Sequence, residues 1–378
     1  MVSLLINLRN PISLVLNGKY PVKKLLFVLI MYIAAPCLIS GNSNDNDTII
    51  FNDTITITAV GDIMLGTAFP DNRYLPPYDD PLPLMSSLFD ILSQADLTFG
   101  NLEGPFSDSA VLEKKCRDTT TCYAFRVPEK YAEVLYMAGF DLLSIANNHI
   151  GDFGYKAKET TSGILDSLNI SFAGTDENPW SVRLINDSVK VGFCAFAPNK
   201  GTVNLHDDNR VNQIISLLED SCDIVIVSVH GGGEGADYQH ITREEEFYYG
   251  ENRGDVYTFA HRVIDMGADI VLGHGPHVSR AVELYKGRLI AYSLGNFCTY
   301  RRFNLRGPNG YAPVINICVT RNGEFLGGKI VPVYQNNSGQ VKTDPQKRAI
   351  FKIRELMMTD FPETGIIIEN NGNITIKH

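Results

Sequence analysis

Apolar runs of strand length recur along this chain, and the residue that closes each one tends to be a carboxylate, an amide or an imidazole. TITITAVGDIML (54–65) alternates and then turns continuously apolar, which predicts a strand over 54–60 that presents Asp62 at its carboxyl end. A helical period over 84–93 leads to a short strand at 97–99, closed by Gly100, Asn101, Leu102 and Glu103. The helix predicted over 129–138 stops at Gly139, a residue suited to a left-handed C-cap. The strand after it, over 142–146, delivers Asn147, Asn148 and His149.

The pattern then repeats. A helix over 155–168, strands over 171–173 and 189–197 and a helix over 209–218 precede DIVIVSV (223–229), the clearest buried strand, which ends at His230. A helix over 259–266 is stopped by Gly267, and a strand over 268–272 runs into Gly273 and His274. Strands over 289–293, 314–320 and 329–334, a helix over 349–358 and a short hairpin complete the chain. Strand–helix alternation followed by strand-rich sequence predicts an α/β fold, a layered α-β-β-α sandwich of two packed sheets flanked by helices. Such sheets bind ligands beyond the carboxyl ends of their strands.

The ordered chain is expected to begin near Thr54. Lys23 and Lys24 precede an apolar run over 25–40, the size of a secretory h-region and shorter than the ~20 residues of a full membrane span. Residues 1–41 are therefore read as a signal peptide or N-terminal membrane anchor and 42–53 as a polar linker. The main domain spans 54–335, and 336–378 form a C-terminal helix and hairpin extension. This organisation places the protein outside the cytoplasm: periplasmic, at the cell surface, or anchored in the membrane.

With 378 residues and 44% hydrophobic content, the chain can bury a large core. Lys+Arg 33 against Asp+Glu 43 gives a net charge of −10, which argues against a nucleic-acid partner. Of the 7 cysteines, Cys116 and Cys122 lie close together in a polar loop and can pair in an oxidising compartment. Cys194, Cys222, Cys298 and Cys318 lie in or beside apolar runs and read as small buried hydrophobes.

Taken singly, each polar strand end has a bland explanation: Asp62 as a turn or helix-cap residue, Glu103 as a solvated turn, His149 as a loop histidine. His230 is harder to dismiss, because a buried imidazole needs partners and the three glycines after it allow another group to come close. GHGPH (273–277) places His274 and His277 three apart in a loop fixed by glycine and proline. Four of the eight histidines, His149, His230, His274 and His277, end or follow apolar strands together with Asp62, Glu103 and Asn148. Imidazole plus carboxylate suits zinc, manganese or iron, and a set of this size suits two ions about 3.5–4 Å apart.

GDIML, GNLEGPFSD, FRVP (125–128), ANNHIGDFG, VHGGGEG, GHGPH and SLGNF occur in that order between Gly61 and Phe297. The set closely resembles the bacterial capsule-synthesis CapA family, also called the poly-gamma-glutamate capsule biosynthesis family, within the calcineurin-like metallophosphoesterase superfamily. The resemblance implies a metallo-dependent phosphatase-like fold with divalent transition ions, two or one, held by Asp62, Glu103, Asn148, His230, His274 and His277. It implies His149 as the catalytic histidine; Arg126, in FRVP, is read either as balancing developing charge or as part of a structural ion pair. Asn101 and Asn296 stand behind the ligands, Asn296 orienting a ligand histidine.

Two positions depart from the superfamily pattern. Asp62-Ile63-Met64 stands where Asp-x-His is common, and Asn101 stands where a bridging aspartate is common, so the carboxylate role passes to Glu103. Glu234 and Glu251, in the polar insertion 231–255, are read as a solvated rim. The implied activity is hydrolysis of a phosphoester or amide bond, on an anionic polymer or a small substrate, with a membrane synthase complex as partner. The competing expectation is a polymer-binding or assembly subunit on a degenerate scaffold without turnover.

Overall fold

The structure, a computed structural model, describes residues 54–116 and 122–377. The expected leader and linker lie outside the described residues. Among the described residues no helix is long and apolar enough to cross a membrane.

Strands β1 (Thr54–Met64), β2 (Leu97–Leu102), β3 (Leu142–Ser144) and β4 (Ser171–Ala173) run parallel in one sheet. The chain then builds a second sheet from β5 (Trp180–Ile185), β6 (Val189–Phe196) and β7 (Ile224–His230). A small hairpin, β8 (Phe247–Tyr248) and β9 (Glu251–Asn252), interrupts it before β10 (Ile270–His274), β11 (Val282–Tyr285) and β12 (Arg288–Ala291). The order in that sheet is β11-β12-β10-β7-β6-β5.

Strands β13 (Asn296–Thr299), β14 (Tyr311–Thr320), β15 (Phe325–Gln335), β16 (Val341–Thr343), β17 (Ile366–Ile368) and β18 (Asn373–Ile376) return to the first sheet. Its order is β17-β18-β15-β14-β1-β2-β3-β4, with β13 on β1 and β16 on β15.

The period-two pattern of β1 shows why the sheets stack. Ile55, Ile57 and Ala59 join the core between the sheets, where Phe99 meets Phe193 edge to face at 5.7 Å. Val60, Ile63 and Met64 belong to a separate core under the short helices Leu82–Met85, Phe89–Leu92 and Ala132–Met137. On the far side of the second sheet, helix Asp208–Glu219 buries Val211, Ile214, Ile215 and Leu218 at helical spacing. Helix Val256–Asp265 buries Phe259, Ala260, Val263 and Ile264. Asp207 and Asp255 cap these two helices by accepting from the amides of Arg210 and Thr258. The layers are those expected, α-β-β-α.

Several expectations are corrected. The helix predicted over 84–93 forms as consecutive turns, α at Leu82–Met85, 3-10 at Ser86–Leu88 and α at Phe89–Leu92, with Ser87 in the 3-10 turn donating its hydroxyl to the carbonyl of Val341. Strand β5 escaped the sequence reading because it is an edge strand whose Trp180, Val182 and Leu184 are exposed. The C-terminal segment forms the expected helix (Arg348–Asp360) and hairpin (β17–β18) and packs into the main fold: β18 pairs with β15, and Ile350, Ile353, Phe361, Ile366 and Ile374 join the larger core. Cys116 and Cys122 form the expected disulfide, whereas Cys318, expected as a simple buried hydrophobe, is disulfide-bonded. Cys194 and Cys298 are buried free thiols.

Register carries the polar strand ends to one edge. Asp62 lies opposite Asn101 and Asn296, Asn101 opposite Ser144, and His230 opposite His274 in the other sheet. β1 runs on past 60 because Gly61 lets it press against the carbonyls of Leu294 and Gly295, where a Cβ would sit 1.9 Å from the Gly295 oxygen.

Candidate metal centre

At that edge Asp62, Asn101, Glu103, His230 and His274 are buried, with His277 beside them. The Asn101 amide donates to Oδ1 of Asp62 at 2.8 Å and to Oε2 of Glu103 at 2.7 Å, tying the two carboxylates together. His277 Nδ1 donates to Oδ2 of Asp62 at 2.8 Å, and His274 Nδ1 lies 3.3 Å from Oδ1. His230 Nδ1 stands 3.6 Å from Oε2 of Glu103. Asn147, on the loop after β3, donates to the Leu102 carbonyl and to Oδ1 of Asn101, and its own Oδ1 accepts from the amides of His149 and Ile150. One asparagine thus fastens the His149 loop to the β2 end.

His149 forms a second group with Asn148 and Asp152. Its Nδ1 lies 2.7 Å from Oδ2 of Asp152, and Asn148 Nδ2 lies 3.3 Å from its Nε2. Asp152 also accepts from the Phe125 amide and pairs with Lys114 at 2.9 Å. Phe125 packs over the His149 ring with centroids 4.1 Å apart and stacks on Phe303, whose ring meets His277 edge-on. Asp152, Phe125 and Phe303 were not singled out as site residues in the sequence, although Asp152 at the third position after His149 was a usable signal.

Asn296 donates to the carbonyls of His277 and Asn309, and Asn309 also donates to the His277 carbonyl. These bonds hold His277 at φ 58°, in the left-handed region. Arg126 goes elsewhere: its Nη1 donates to the Ala110 carbonyl and its guanidinium lies over the Phe153 ring. Met64 is fully buried and its sulfur accepts from the Gly66 amide.

Charge in this edge is strongly perturbed. Burial would raise the Asp62 carboxyl, but the His277 hydrogen bond and the two adjacent imidazoles, His274 and His277, outweigh it and hold the group far below the usual range. Burial and the Asp62 charge push Glu103 up to about 8. Burial opposes charge on His277, yet the Asp62 hydrogen bond and charge raise it to about 9. Burial drives His230 well below its ordinary value and lowers His149 too, against the pull of Asp152.

Among the described residues no group of three or more His, Cys, Asp or Glu is gathered in ligating geometry. The donors present nonetheless suit a cation. Glu103 Oε1, Asn148 Oδ1 and both ring nitrogens of His230 and His274 are buried without a hydrogen-bond partner. Buried polar atoms are nearly always satisfied, and this set consists of oxygen and nitrogen donors of the kind that bind zinc, manganese or iron.

Residues 56–301 match the family model described as bacterial capsule synthesis protein PGA_cap. The chain belongs to this family. Among its relatives, the capsule biosynthesis protein CapA of Bacillus anthracis is 28% identical over 268 residues, 65% of this chain and 60% of that protein. The PGA biosynthesis protein CapA of Bacillus subtilis is 27% identical over 261 residues, 65% of this chain and 63% of its own length. The match thus spans about three fifths of the length of these relatives. A 5'-nucleotidase precursor from Thermus thermophilus aligns over 81% of this chain and 58% of its own, with 11% identity and a TM-score of 0.38. The purple acid phosphatase PPD1 of yellow lupin aligns over 78% and 55%, with 10% identity and the same TM-score of 0.38.

Proposed function

We propose that this capsule-synthesis protein is an exported metal-dependent hydrolase of cell-envelope polymer metabolism, acting on a phosphoester or amide bond of an anionic polymer or smaller substrate. The observation that carries the reading is the set of unpartnered lone-pair donors on Glu103, Asn148, His230 and His274 around the Asp62–His277 pair. One or two divalent transition ions held by these six residues would supply hydroxide near neutral pH and positive charge facing the substrate.

The chain's own part centres on His149. With Nδ1–H given to Asp152, the ring is fixed in one tautomer and its Nε2 lone pair lies beside Asn148. Burial disfavours the charged imidazole; an anionic substrate beside it favours protonation, so Nε2 can take a proton and pass it to the leaving group. Phe125 packed on the ring excludes water from one face. Arg126, bound to Ala110 and Phe153, is assigned the structural role.

A second reading, a polymer-binding or assembly subunit without turnover, is favoured by Met64, which fills the place of a common histidine ligand. Mass spectrometry of metal content on protein purified without a His tag or chelator separates the two. Roughly two ions per chain supports the hydrolase and directs a screen of phosphoesters and gamma-glutamyl amides. About one ion points to a reduced site centred on His230, His274 and His277. No metal after incubation with manganese or zinc overturns the catalytic reading and leaves the binding role. A membrane synthase partner is part of this proposal and is tested by co-purification from membranes.

A further inference from the structure

We infer that Arg253 is the anion-binding residue of this site, taking the phosphoryl or carboxylate oxygens of the substrate in place of the Glu234 carboxylate it now holds. The inference deepens the proposed function and rests on the same site.

Arg253 is 4% exposed, yet Nε and Nη1 of its guanidinium lack a hydrogen-bond partner. A buried, permanently charged group with unused donors is costly and calls for an acceptor. Nη2 alone is engaged, 3.2 Å from Glu234 and 3.0 Å from Glu251. The guanidinium sits over the Tyr248 ring at 5.8 Å, so the rest of the side chain is walled in.

Its place in the fold is beside the ligand set. The Arg253 carbonyl accepts from the Gly232 amide, and a Cβ on Gly231, the residue after His230, would lie 2.8 Å from that same oxygen. The Arg253 charge is felt at His230, and the Glu234 charge at Glu103, His149 and His277. The insertion holding this pair is anchored by Arg280, which is fully buried, bound by both Nη atoms to Glu246 and by Nε to the Tyr238 carbonyl.

Of the two carboxylates on Nη2, Glu251 is the solvent-side partner at 57% exposure, and Glu234 is the one that a bound substrate anion would displace. It is 20% exposed at its side chain and lies between Gly233 and Gly235, with positive φ at Gly232 (84°) and Gly235 (98°). Its carboxylate, like a phosphoryl or carboxylate group on the substrate, offers anionic oxygens to the guanidinium, so exchange keeps Arg253 paired. Arginine suits both phosphoryl and carboxylate oxygens.

The test is calorimetric titration of inorganic phosphate, and separately of glutarate, into the full chain and three variants, with melting temperature and metal content recorded for each. Arg253→Gln is expected to weaken binding about tenfold or more, and Arg253→Lys to weaken it less. Glu234→Gln, which removes the competing carboxylate, is expected to tighten binding several-fold. The anion showing these opposite shifts identifies the source, phosphoester or polymer carboxylate. If Arg253→Gln does not fold, the Glu234→Gln result decides. Unchanged affinity in Glu234→Gln, or no binding of either anion to the unmodified chain, overturns the inference. Repeating the titrations after chelator treatment separates the two claims. Opposite shifts in a protein that neither binds metal nor hydrolyses would sink the hydrolase and keep Arg253. Metal-dependent hydrolysis with unshifted anion affinity would do the reverse.

Discussion

Asp62 and His277 are 215 positions apart in the chain, yet His277 Nδ1 donates to Asp62 Oδ2 across 2.8 Å, both at the shared edge of the sheets. The contact depends on the unusual backbone of His277, which the Asn296 and Asn309 amides hold through its carbonyl. Strained backbone of this kind persists only where its surroundings over-determine it.

Asn296→Ala should therefore loosen His277 without touching the donor set itself. Metal affinity is expected to fall about 10- to 100-fold, the usual cost of losing an outer partner, while Asp62→Ala abolishes binding at the same metal concentration. Metal titration followed by mass spectrometry measures both. Equal affinity in Asn296→Ala and the unmodified chain would show that His277 needs no support.

Asp152→Asn should slow turnover by about 10²–10⁴-fold, the range of general acid–base catalysis, because the amide no longer fixes the His149 tautomer. His149→Ala should remove turnover and leave metal content nearly intact. A His149→Ala protein with full activity would refute the assignment. Some loss of melting temperature is expected in Asp152→Asn alone, since Asp152 also holds Lys114.

Arg280→Met leaves Glu246 buried without its bidentate partner. Breaking such a pair from one side costs about 3–5 kcal/mol, so chemical denaturation should show a large drop. The double variant Arg280→Met, Glu246→Leu should recover part of it. A loss no smaller in the double variant would mean that packing, not charge, holds the insertion.

Asp269 begins the segment leading into β10, accepting from the Val225 amide at 2.7 Å and pairing with Arg288. Burial outweighs these bonds and raises its carboxyl to about 6 from 3.8. Between those values the folded chain binds more protons than the unfolded one, so this group's contribution to stability declines as pH rises from about 4 to 6. The cost is fully present above pH 6 and absent below the unfolded value, at most about 2–3 kcal/mol at 1.36 kcal/mol per unit. Urea unfolding across this range should show a flatter profile in Asp269→Asn. An identical slope in both proteins would remove Asp269 from the account.

The sequence by itself determined which strands end in carboxylate, amide or imidazole side chains. His230 and His274 close β7 and β10, and Asp62 lies two residues before the end of β1: short, β-branched-rich apolar runs bounded by glycine read as buried strands, and a polar residue at the end of such a run comes to the sheet's edge. Layer order was legible for the same reason, since strand–helix alternation admits few packings.

Pairing across sheets was decided only by tertiary structure. Which imidazole meets Asp62, that Asn101 links Asp62 to Glu103, and that Arg126 turns away to Ala110 all depend on register and on loop paths that no local pattern encodes. The insertion 231–255 reads as polar rim in one dimension. Folded, it buries Arg253, Arg280 and Glu246, because charges distant in sequence can leave water only when the fold brings their partners to them.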